Sequence, residues 1–367
     1  MTEWREQMLS EFMHFNPRTP LLKGSIAKKV AMEHLASFNR KIQGYEEGIF
    51  KGGAKFKNGD TLVARITPCL ENGKTAYVDF LSDNEVAFGS TEFIVLRAKE
   101  GISDSKFIFY LAISDEFRDT AIQLMTGSSG RQRVETEALK QKVFILPALP
   151  EQKAIAEVLS SLDDKIDLLT RQNKTLEDLA QAYFRKWFIE DASNKWEKKS
   201  LGEIVTINYG KALPERERVS GKIPVYSSAG VTGWHNQYLV NSRGIVIGRK
   251  GTIGTIYWVP EPFYCIDTAY YITPEDSKYD LTFIYFLLKT MSLQDLNEDS
   301  AVPGLNRNTI YSQEFLQPPD DLICKFIRLS NTLLQKIQSN TAQIHALSKL
   351  RDTLLPKLIS GEIRVKM

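Results

Sequence analysis

The sequence has few of the residues that usually bind metals or carry redox chemistry. It contains three cysteines and four histidines in 367 residues. Cys69, Cys265 and Cys324 lie far apart, without a C-x-x-C pair, and the histidines show no ligand spacing. Zinc sites need closely spaced Cys and His ligands, so this scarcity argues against one. We therefore expect no metal site and a reduced, cytoplasmic protein.

Long apolar runs and a strong net charge are also missing. No stretch approaches the ~18 consecutive apolar residues of a membrane helix. The first twenty residues carry charges where a signal peptide would be apolar. We therefore expect no membrane partner. The formal net charge is only +2, so any binding to nucleic acid must rest on local basic patches.

The motifs of common cofactor-dependent enzymes are absent as well. Gly73-Lys74-Thr75 resembles the end of a phosphate-binding loop, but Pro68 stands where that motif requires its first glycine. The glycine-rich stretch 248–254 lies between two β-like segments and is typical of a hairpin. No Asn/Asp-Pro-Pro-aromatic tetrapeptide of aminomethylating enzymes occurs. The sequence thus predicts no catalytic residue and no cofactor in this chain.

The most regular feature is the stretch from Pro150 to residue 188, which contains no glycine and no further proline. Only Asn173 interrupts its apolar stripe. A heptad pattern of this length predicts a coiled-coil helix, roughly 57 Å long at ~1.5 Å per residue, which needs a partner along the stripe. Apolar residues recur at spacings of four and three, namely Ile155, Leu159, Leu162, Ile166, Leu169, Leu176, Ala180, Tyr183 and Trp187.

A second helix of the same kind is predicted at residues 320–361. Shifting the first helix by 171 positions aligns Ile166 with Ile337 and Leu176 with Leu347. A repeat of this length indicates repeated structure. We therefore expect the two helices to cover each other's stripe by packing as an antiparallel coiled coil with pseudo-two-fold symmetry.

The polar breaks in the two stripes suggest a register. A buried asparagine prefers to face another asparagine, because each satisfies the hydrogen bonds of the other. We therefore expect Asn173 to face Asn340, which also places Leu162 opposite Arg351. The alternative is that both asparagines lie at the solvent margin.

The segment before the first helix mixes β and α patterns. Residues 61–67, 75–78 and 90–96 are β-branched and apolar between turn signals, which predicts strands. Residues 104–124 switch to helical spacing, with Asp104 as the expected N-cap.

The second half repeats this order. Residues 245–249 and 267–272 resemble the strands of the first half, and residues 282–287 resemble its helix. We therefore predict a mixed α/β (α+β) protein with two globules, each followed by a long helix. The predicted domains are a first globule at 1–149, a central spacer helix at 150–190, a second globule at 191–319 and a distal spacer helix at 320–367.

Four short segments, together with the repeated order, point to a known family. They are FKNGDTLVARITPCLENGK at 56–74, GSTEFIVLR at 89–97, IVIGRKGTIG at 245–254 and TLLPKLISGEI at 353–363. With them, essentially the whole chain resembles the specificity subunit of type I restriction-modification systems. The resemblance implies two target recognition domains, each reading one part of a split, asymmetric sequence in double-stranded DNA, with the helices setting the gap between the parts.

The resemblance also implies protein partners. The helices would dock two modification (methyltransferase) subunits, which carry S-adenosylmethionine and methylate adenine after flipping it from the stack. Restriction/translocase subunits would join the complex for cleavage. This chain itself would catalyse nothing and would hold no cofactor.

A DNA reader needs Arg, Lys, Asn or Gln side chains on loops or strands that reach a groove. One basic sequence follows the Gly/Ser-rich loop 126–130, and another follows Pro303-Gly304 at what we interpret as the equivalent place. A turn with basic residues and glycine begins at residue 249, and the residues around position 65 are its rough counterpart in the first half. Residues 226–230 form a polar turn that contains an aromatic residue. The predicted DNA-binding residues are Lys55, Lys57, Arg65, Arg131, Gln132, Arg133, Tyr226, Ser227, Arg249, Lys250, Thr252, Asn306 and Arg307.

Two other functions stay open at this point. The chain could be a coiled-coil scaffold that binds only protein, which sequence-specific protection of DNA by the assembled complex would exclude. It could also be a self-contained restriction or methylation enzyme, which activity of the purified chain alone would support.

Overall fold

The protein forms two compact units in a computed structural model that describes residues 4–128, 130–296 and 304–365. The first unit combines residues 1–168 with 343–367, and the second comprises residues 169–342. A π-helical turn, Lys186–Glu190, follows the fifth helix. The α-helices are α1 (Leu9–Phe12), α2 (Ser105–Ile113), α3 (Asp115–Gln123), α4 (Thr136–Lys140), α5 (Leu149–Arg185), α6 (Leu281–Lys289), α7 (Arg307–Tyr311) and α8 (Asp320–Ile359).

The first unit contains two four-stranded sheets and two short ribbons. One sheet has the antiparallel order β2-β9-β6-β7, the other has the order β4-β3-β8-β5 with β3 and β8 parallel, and the ribbons are β1-β12 and β10-β11. The strands are β1 (Arg5–Met8), β2 (Met13–Phe15), β3 (Ile26–Val30), β4 (Glu46–Ile49), β5 (Ala54–Phe56), β6 (Thr61–Ala64), β7 (Thr75–Tyr77), β8 (Ala87–Gly89), β9 (Phe93–Ala98), β10 (Met125–Thr126), β11 (Arg133–Val134) and β12 (Val143–Leu146).

The second unit repeats the sheet that contains β6. Its four-stranded sheet has the antiparallel order β14-β20-β17-β18, beside a three-stranded sheet β16-β15-β19 and a ribbon β13-β21. The strands are β13 (Glu197–Ser200), β14 (Asn208–Tyr209), β15 (Ile223–Ser227), β16 (Gly230–His235), β17 (Gly244–Gly248), β18 (Ile256–Val259), β19 (Tyr264–Cys265), β20 (Ala269–Ile272) and β21 (Glu314–Gln317).

Local sequence explains the strands and the helix start that were predicted. All four residues of β6 are buried, as their β-branched and apolar character requires for a central strand. The helix predicted at 104–124 is present as α2 and α3, which are separated at Ser114. The Asp104 carboxylate accepts the Phe107 N–H at 2.9 Å, so the predicted N-cap is confirmed.

Each long helix contributes side chains to the core of both units. In the first unit, Ile155 and Leu159 of α5 share a buried cluster with Leu358 of α8. In the second unit, Phe184 of α5 shares one with Phe326 of α8, at a ring separation of 5.2 Å. Burying one such side chain stabilises a fold by about 1.5–3 kcal/mol, so both helices contribute to the stability of each unit.

The contacts between the helices run in opposite directions within each unit. In the first unit, Glu151 near the start of α5 pairs with Arg364, and Asp163 further along pairs with Arg351. In the second unit, Asn173 donates from Nδ2 to Thr341 Oγ1 at 3.2 Å, and Phe188, in the π-helical turn after α5, contacts Phe326, with ring centroids 5.4 Å apart. As residue numbers rise in α5, those of its partners in α8 therefore fall.

The predicted register is wrong by one residue. Asn173 bonds to Thr341 and not to Asn340. Likewise Arg351 pairs with Asp163, at 2.8 Å, and not with Leu162. Asn340 is fully buried, and within the described residues neither its Oδ1 nor its Nδ2 has a hydrogen-bond partner. Both asparagines thus depart from the expected mutual pair.

The apolar stripe also differs from the prediction towards the end of α5. Tyr183 was expected in the stripe, but 37% of its surface is exposed, whereas Ala180, Phe184 and Phe188 are buried. This spacing of four and four departs from the heptad alternation of four and three. Aromatic residues that pack into the globule, rather than a helix seam alone, therefore decide which face is buried here.

Candidate nucleic-acid interface

Arg65 lies immediately after the central strand β6, and two backbone hydrogen bonds fix its position. Its N–H donates to the Glu92 carbonyl at 2.9 Å, and its carbonyl accepts the Val134 N–H at 2.9 Å. We call this pair of bonds the strand-end frame. The guanidinium is half-buried, with Nη2 3.5 Å from the Val134 carbonyl. Arg65 is therefore held where the sheet ends.

The basic loop predicted from the sequence is a hairpin loop next to this arginine. It joins β10 to β11, and Gly127 and Gly130 have φ angles of +122° and +78°, which glycine adopts without strain. The Gln132 carbonyl accepts the Thr67 N–H at 3.0 Å. Arg131 is exposed at the end of the loop. The structure thus brings Arg65, Arg131 and Gln132 to one edge of the first unit.

Arg133 belongs to the same edge, but a carboxylate neutralises it. Glu92 accepts from Nε of Arg133 at 2.9 Å and from Nη2 at 2.8 Å. These bonds outweigh partial burial and hold the pKa of Glu92 below its ordinary value, so the pair is ionised at neutral pH. Since Arg133 Nη1 also lies 3.4 Å from the Arg131 carbonyl, the guanidinium folds back onto the protein.

Lys55 and Lys57 lie away from the edge that Arg65, Arg131 and Gln132 share. Lys55 lies on β5 in the other sheet, with its Nζ 5.8 Å from the Phe50 ring. Lys57 precedes β6, whereas Arg65 follows it, so the length of the strand separates them. The Lys57 N–H donates to the Asp60 carboxylate at 2.8 Å, which fixes the turn before the strand.

The second unit contains the same strand-end frame. The Arg249 N–H donates to the Thr268 carbonyl at 3.0 Å, and the Arg249 carbonyl accepts the Leu305 N–H at 2.9 Å. Arg249 therefore corresponds to Arg65, as the sequence comparison of the two strands suggested. The residue that corresponds to Glu92 is Thr268, which carries no charge.

This frame corrects the predicted equivalence of the two basic loops. Leu305 takes the place of Val134, so Asn306 and Arg307 correspond to residues 135 and 136 and not to the loop 131–133. Asn306 is the N-cap of α7, with its Oδ1 accepting the Asn308 N–H at 2.8 Å. The true counterparts of the loop end at Gly304, and residues 302 and 303 lie outside the described part of the chain.

An aromatic ring brings the two arginines of the second unit together. The guanidinium carbons of Arg249 and Arg307 lie 5.0 Å and 4.9 Å from the centroid of the Tyr209 ring. Tyr209 is 46% exposed. Sequence reasoning missed it, although an aromatic residue directly before Gly210-Lys211 resembles the aromatic and basic mixtures of nucleic-acid-binding surfaces.

The remaining predicted residues lie on two adjoining turns of the second unit. Lys250 and Thr252 are exposed, and Ser227 Oγ accepts the Ala229 N–H at 3.2 Å. The Thr255 hydroxyl donates to the Ser228 carbonyl at 2.6 Å, which ties the turns together. The Tyr226 ring faces inward, 6.0 Å from that of Phe263, and burial raises the pKa of its hydroxyl. This ring therefore supports the turn.

A second aromatic residue missed by sequence reasoning is Phe38 in the first unit. It is 49% exposed with a φ of +53°, an unusual backbone for a bulky residue. Its N–H donates to the Gly73 carbonyl at 3.0 Å, and the Arg118 guanidinium lies 4.7 Å from its ring. The loop 65–74 thus bonds to Phe38 near its end, through Gly73, and to Gln132 of the basic hairpin near its start, through Thr67.

The described residues form neither a membrane-spanning helix nor a metal site. None of their helices is both long and apolar enough to cross a bilayer. In the same part of the chain, no three His, Cys, Asp or Glu side chains are grouped to hold a metal ion. All three cysteines are free thiols, and burial raises the pKa of Cys265 to about 12.

Comparison with known proteins identifies the family. The type I restriction modification DNA specificity domain matches the chain twice, over residues 2–178 and 193–339. The chain belongs to this family of DNA specificity proteins. The double match covers both halves of the internal repeat, so the predicted family is confirmed. It also supports the prediction that the chain is a DNA-recognition subunit and not itself an enzyme.

Individual relatives agree with this assignment. The specificity subunit of the type I restriction enzyme MjaIX from Methanocaldococcus jannaschii is 28% identical, over 73% of this chain and 71% of the relative. The HindI specificity subunit from Haemophilus influenzae is 24% identical, over 84% and 87%. The crystal structure of a type I S subunit from M. genitalium shares the fold, with a TM-score of 0.60 and 21% identity over 100% of this chain and 97% of that one. The shared fold and the two matched domains confirm the predicted mixed α/β class with two recognition domains.

Proposed function

We propose that this specificity subunit reads a split, asymmetric sequence in double-stranded DNA, one part with each globule. The observation that carries the proposal is the strand-end frame, which recurs in both units with different side chains around it. Arg65 has Glu92 and the pair with Arg133 beside it, whereas Arg249 has the uncharged Thr268. A shared scaffold with unlike polar groups is suited to reading two unlike half-sites.

The globules in this proposal are residues 1–149 and 191–319, and the spacers are residues 150–190 and 320–367. We propose that the spacers form an antiparallel coiled coil with pseudo-two-fold symmetry, which sets the gap between the half-sites. The opposite direction of the helix contacts within each unit supports this arrangement. The thirteen residues predicted to bind DNA keep that role as proposals, with Tyr209 and Phe38 added.

The proposed partners are two modification subunits that bind S-adenosylmethionine and dock on the helices, and restriction/translocase subunits that join them, all in the cytoplasm. Exposed apolar side chains on the helices support docking of a protein. Leu168 and Leu350 in the first unit are 41% and 47% exposed, and Leu179 in the second is 42% exposed.

Methylation mapping tests the function directly. In cells that express the chain with its modification subunit, we expect methyl-adenine at one split motif, and none at that motif when the chain is removed. Exchanging residues 195–317 for those of another specificity subunit should change only one half of the motif, because that segment forms the second reader. A methylation pattern that does not depend on the chain would refute the proposal and favour a scaffold.

The ion pair between Glu92 and Arg133 leads to a second prediction. In the complex with the modification subunit, Glu92→Gln should strengthen DNA binding and steepen its salt dependence. The reason is that Arg133 is no longer neutralised and adds one cation to the interface. The slope of log K against log salt should become steeper by about 0.9, measured by fluorescence anisotropy between about 50 and 200 mM salt.

The control for this variant is Glu46→Gln, which removes the same charge. Glu46 pairs with Lys29 at 3.4 Å in the other sheet of the first unit, where both side chains are exposed. We expect this variant to leave the slope unchanged. Equal effects of the two substitutions would mean that the gain reflects net charge and that Arg133 is not close to DNA.

A further inference from the structure

We infer that Tyr209, Arg249 and Arg307 form a binding site for one phosphate of the DNA backbone. This inference rests on the proposed function and goes beyond it, because it assigns a ligand group to one place in the second unit. The sequence suggested the two arginines separately, and the structure brings them to one ring.

The three side chains come from separate segments and meet on a firm support. Tyr209 ends β14, Arg249 follows β17 and Arg307 begins α7. The ring of Tyr209 packs edge-to-face on the ring of Tyr270, with centroids 5.0 Å apart. Tyr270 is buried, and its hydroxyl donates to the Leu305 carbonyl at 2.9 Å. Leu305 in turn bonds to Arg249 through the strand-end frame. The positions of both guanidinium groups are therefore set by the fold.

The charges of this site lack a carboxylate partner among the described residues. The Nη1 atoms of Arg249 and Arg307 donate instead to backbone carbonyls, of Asp267 at 3.2 Å and of Ile207 at 3.3 Å. Nε of Arg307 is buried, and no acceptor for it lies in the described part of the chain. Within the described residues, therefore, no carboxylate offsets the charge of either guanidinium, and Nε of Arg307 is a donor without an acceptor.

Two such charges held close together favour an anion. Since each lies about 5 Å from the same ring centroid, they are no more than about 10 Å apart, comparable with the ~8 Å Debye length of physiological salt. They repel each other at this distance, and arginine cannot lose its proton to relieve the repulsion. A phosphate group would accept hydrogen bonds from the two guanidinium groups through different oxygens and offset the repulsion.

The direction of the side chains favours phosphate over a base edge. A residue that reads bases must extend from the surface into a groove. Arg249 and Arg307 instead lie back on Tyr209 and are half-buried, so they present charge at the protein surface. Phosphates form the outer surface of the duplex and can meet such a site, which then positions the neighbouring exposed Lys250.

The test measures DNA binding by the complex of this chain with its modification subunit. Arg249→Gln and Arg307→Gln should each make the slope of log K against log salt shallower by about 0.9. Affinity in 0.1 M salt should fall about tenfold, equally for the methylated motif and for unrelated duplexes. Tyr209→Leu should produce a similar loss because the ring no longer holds the guanidinium groups, whereas Tyr209→Phe should bind normally.

The matched control is Arg216→Gln in the same unit. The Arg216 side chain is 84% exposed and lies 3.8 Å from Glu217, and its loss should not change the slope. An unchanged slope in Arg307→Gln, with the methylated motif intact, would overturn the phosphate site but leave the proposed function standing. Relaxed specificity at one base of the second half-site would also overturn it, since it would indicate base reading. The proposed function itself fails only if no methylated motif depends on the chain.

Discussion

Replacing Asp163 by alanine should destabilise the first unit by about 3–5 kcal/mol, the largest effect we expect from a single substitution. Asp163 of α5 is buried and accepts the Tyr110 hydroxyl at 2.6 Å and Arg351 Nη1 at 2.8 Å. Tyr110 comes from α2 of the globule and Arg351 from α8. Alanine would leave the buried hydroxyl and the Nη1 donor of a half-buried cation without their partner, which costs more than the bonds themselves contribute.

The control uses the second carboxylate on the same arginine. Asp352 also accepts from Arg351, at 2.7 Å, but its side chain is 62% exposed. Exposed ion pairs contribute little, so Asp352→Ala should cost no more than about 1 kcal/mol. Hydrogen exchange of the full chain in low urea measures both variants, and in Asp163→Ala the loss of protection should be confined to residues 4–168 and 343–365. Equal losses of stability in the two variants would show that the buried bonds of Asp163 stabilise the unit no more than an exposed ion pair does.

The same network shows why local features were predictable and their meeting points were not. The helices α5 and α8 could be predicted because a stripe of apolar residues without glycine is a local property of the sequence. The cap at Asp104 follows from neighbouring residues in the same way. The pairing of Asp163 with both Tyr110 and Arg351 depends on three distant segments, and nothing in the sequence next to Asp163 marks it as buried.

Small shifts in alignment explain the two main corrections. Helix stripes allow neighbouring registers with similar burial, so the sequence supported Asn173 opposite Asn340 although the structure pairs it with Thr341. The basic loops were aligned by composition alone, since both contain glycine and arginine. The backbone bonds from Val134 and Leu305 gave the true equivalence, and such bonds cannot be read from single residues.

The sequence predicted the charged residues of the candidate site but not the residues that hold or neutralise them. Eight of the thirteen proposed residues are Lys or Arg, which composition and turns suggest. Tyr209 was missed because an exposed tyrosine gains its meaning only when Arg249 and Arg307 are brought to it by the sheet and by α7. Glu92 was missed for the same reason, because its role appears only in its contact with Arg133.

Replacing Asn340 by leucine should stabilise the second unit by about 1–3 kcal/mol. Asn340 is fully buried in α8, and neither polar atom of its side chain has a partner in the described residues. Burying an amide without hydrogen bonds costs free energy that an apolar side chain of similar volume does not. Leucine also has the higher helix propensity. Urea unfolding, followed by hydrogen exchange of peptides from residues 320–342, measures the gain.

Asn173→Leu is the matched control, because Asn173 Nδ2 donates to Thr341 and the residue is only half-buried, although its Oδ1 has no partner among the described residues. Leucine there should be neutral or cost up to about 1 kcal/mol. A loss of stability in Asn340→Leu would contradict the prediction, since it would show that the buried amide has a stabilising partner in solution.

A residue that destabilises the fold at a helix contact calls for a functional reason, and register is the best attested one for a buried asparagine. Under the proposed function, the register of α8 on α5 sets the distance between the two half-sites. Asn340→Leu should therefore gain stability while losing precision, so that methylation mapping finds motifs with more than one gap length. If the variant is more stable and the gap stays uniform, register is fixed by the packing of Phe184 and Phe326 in the globule instead.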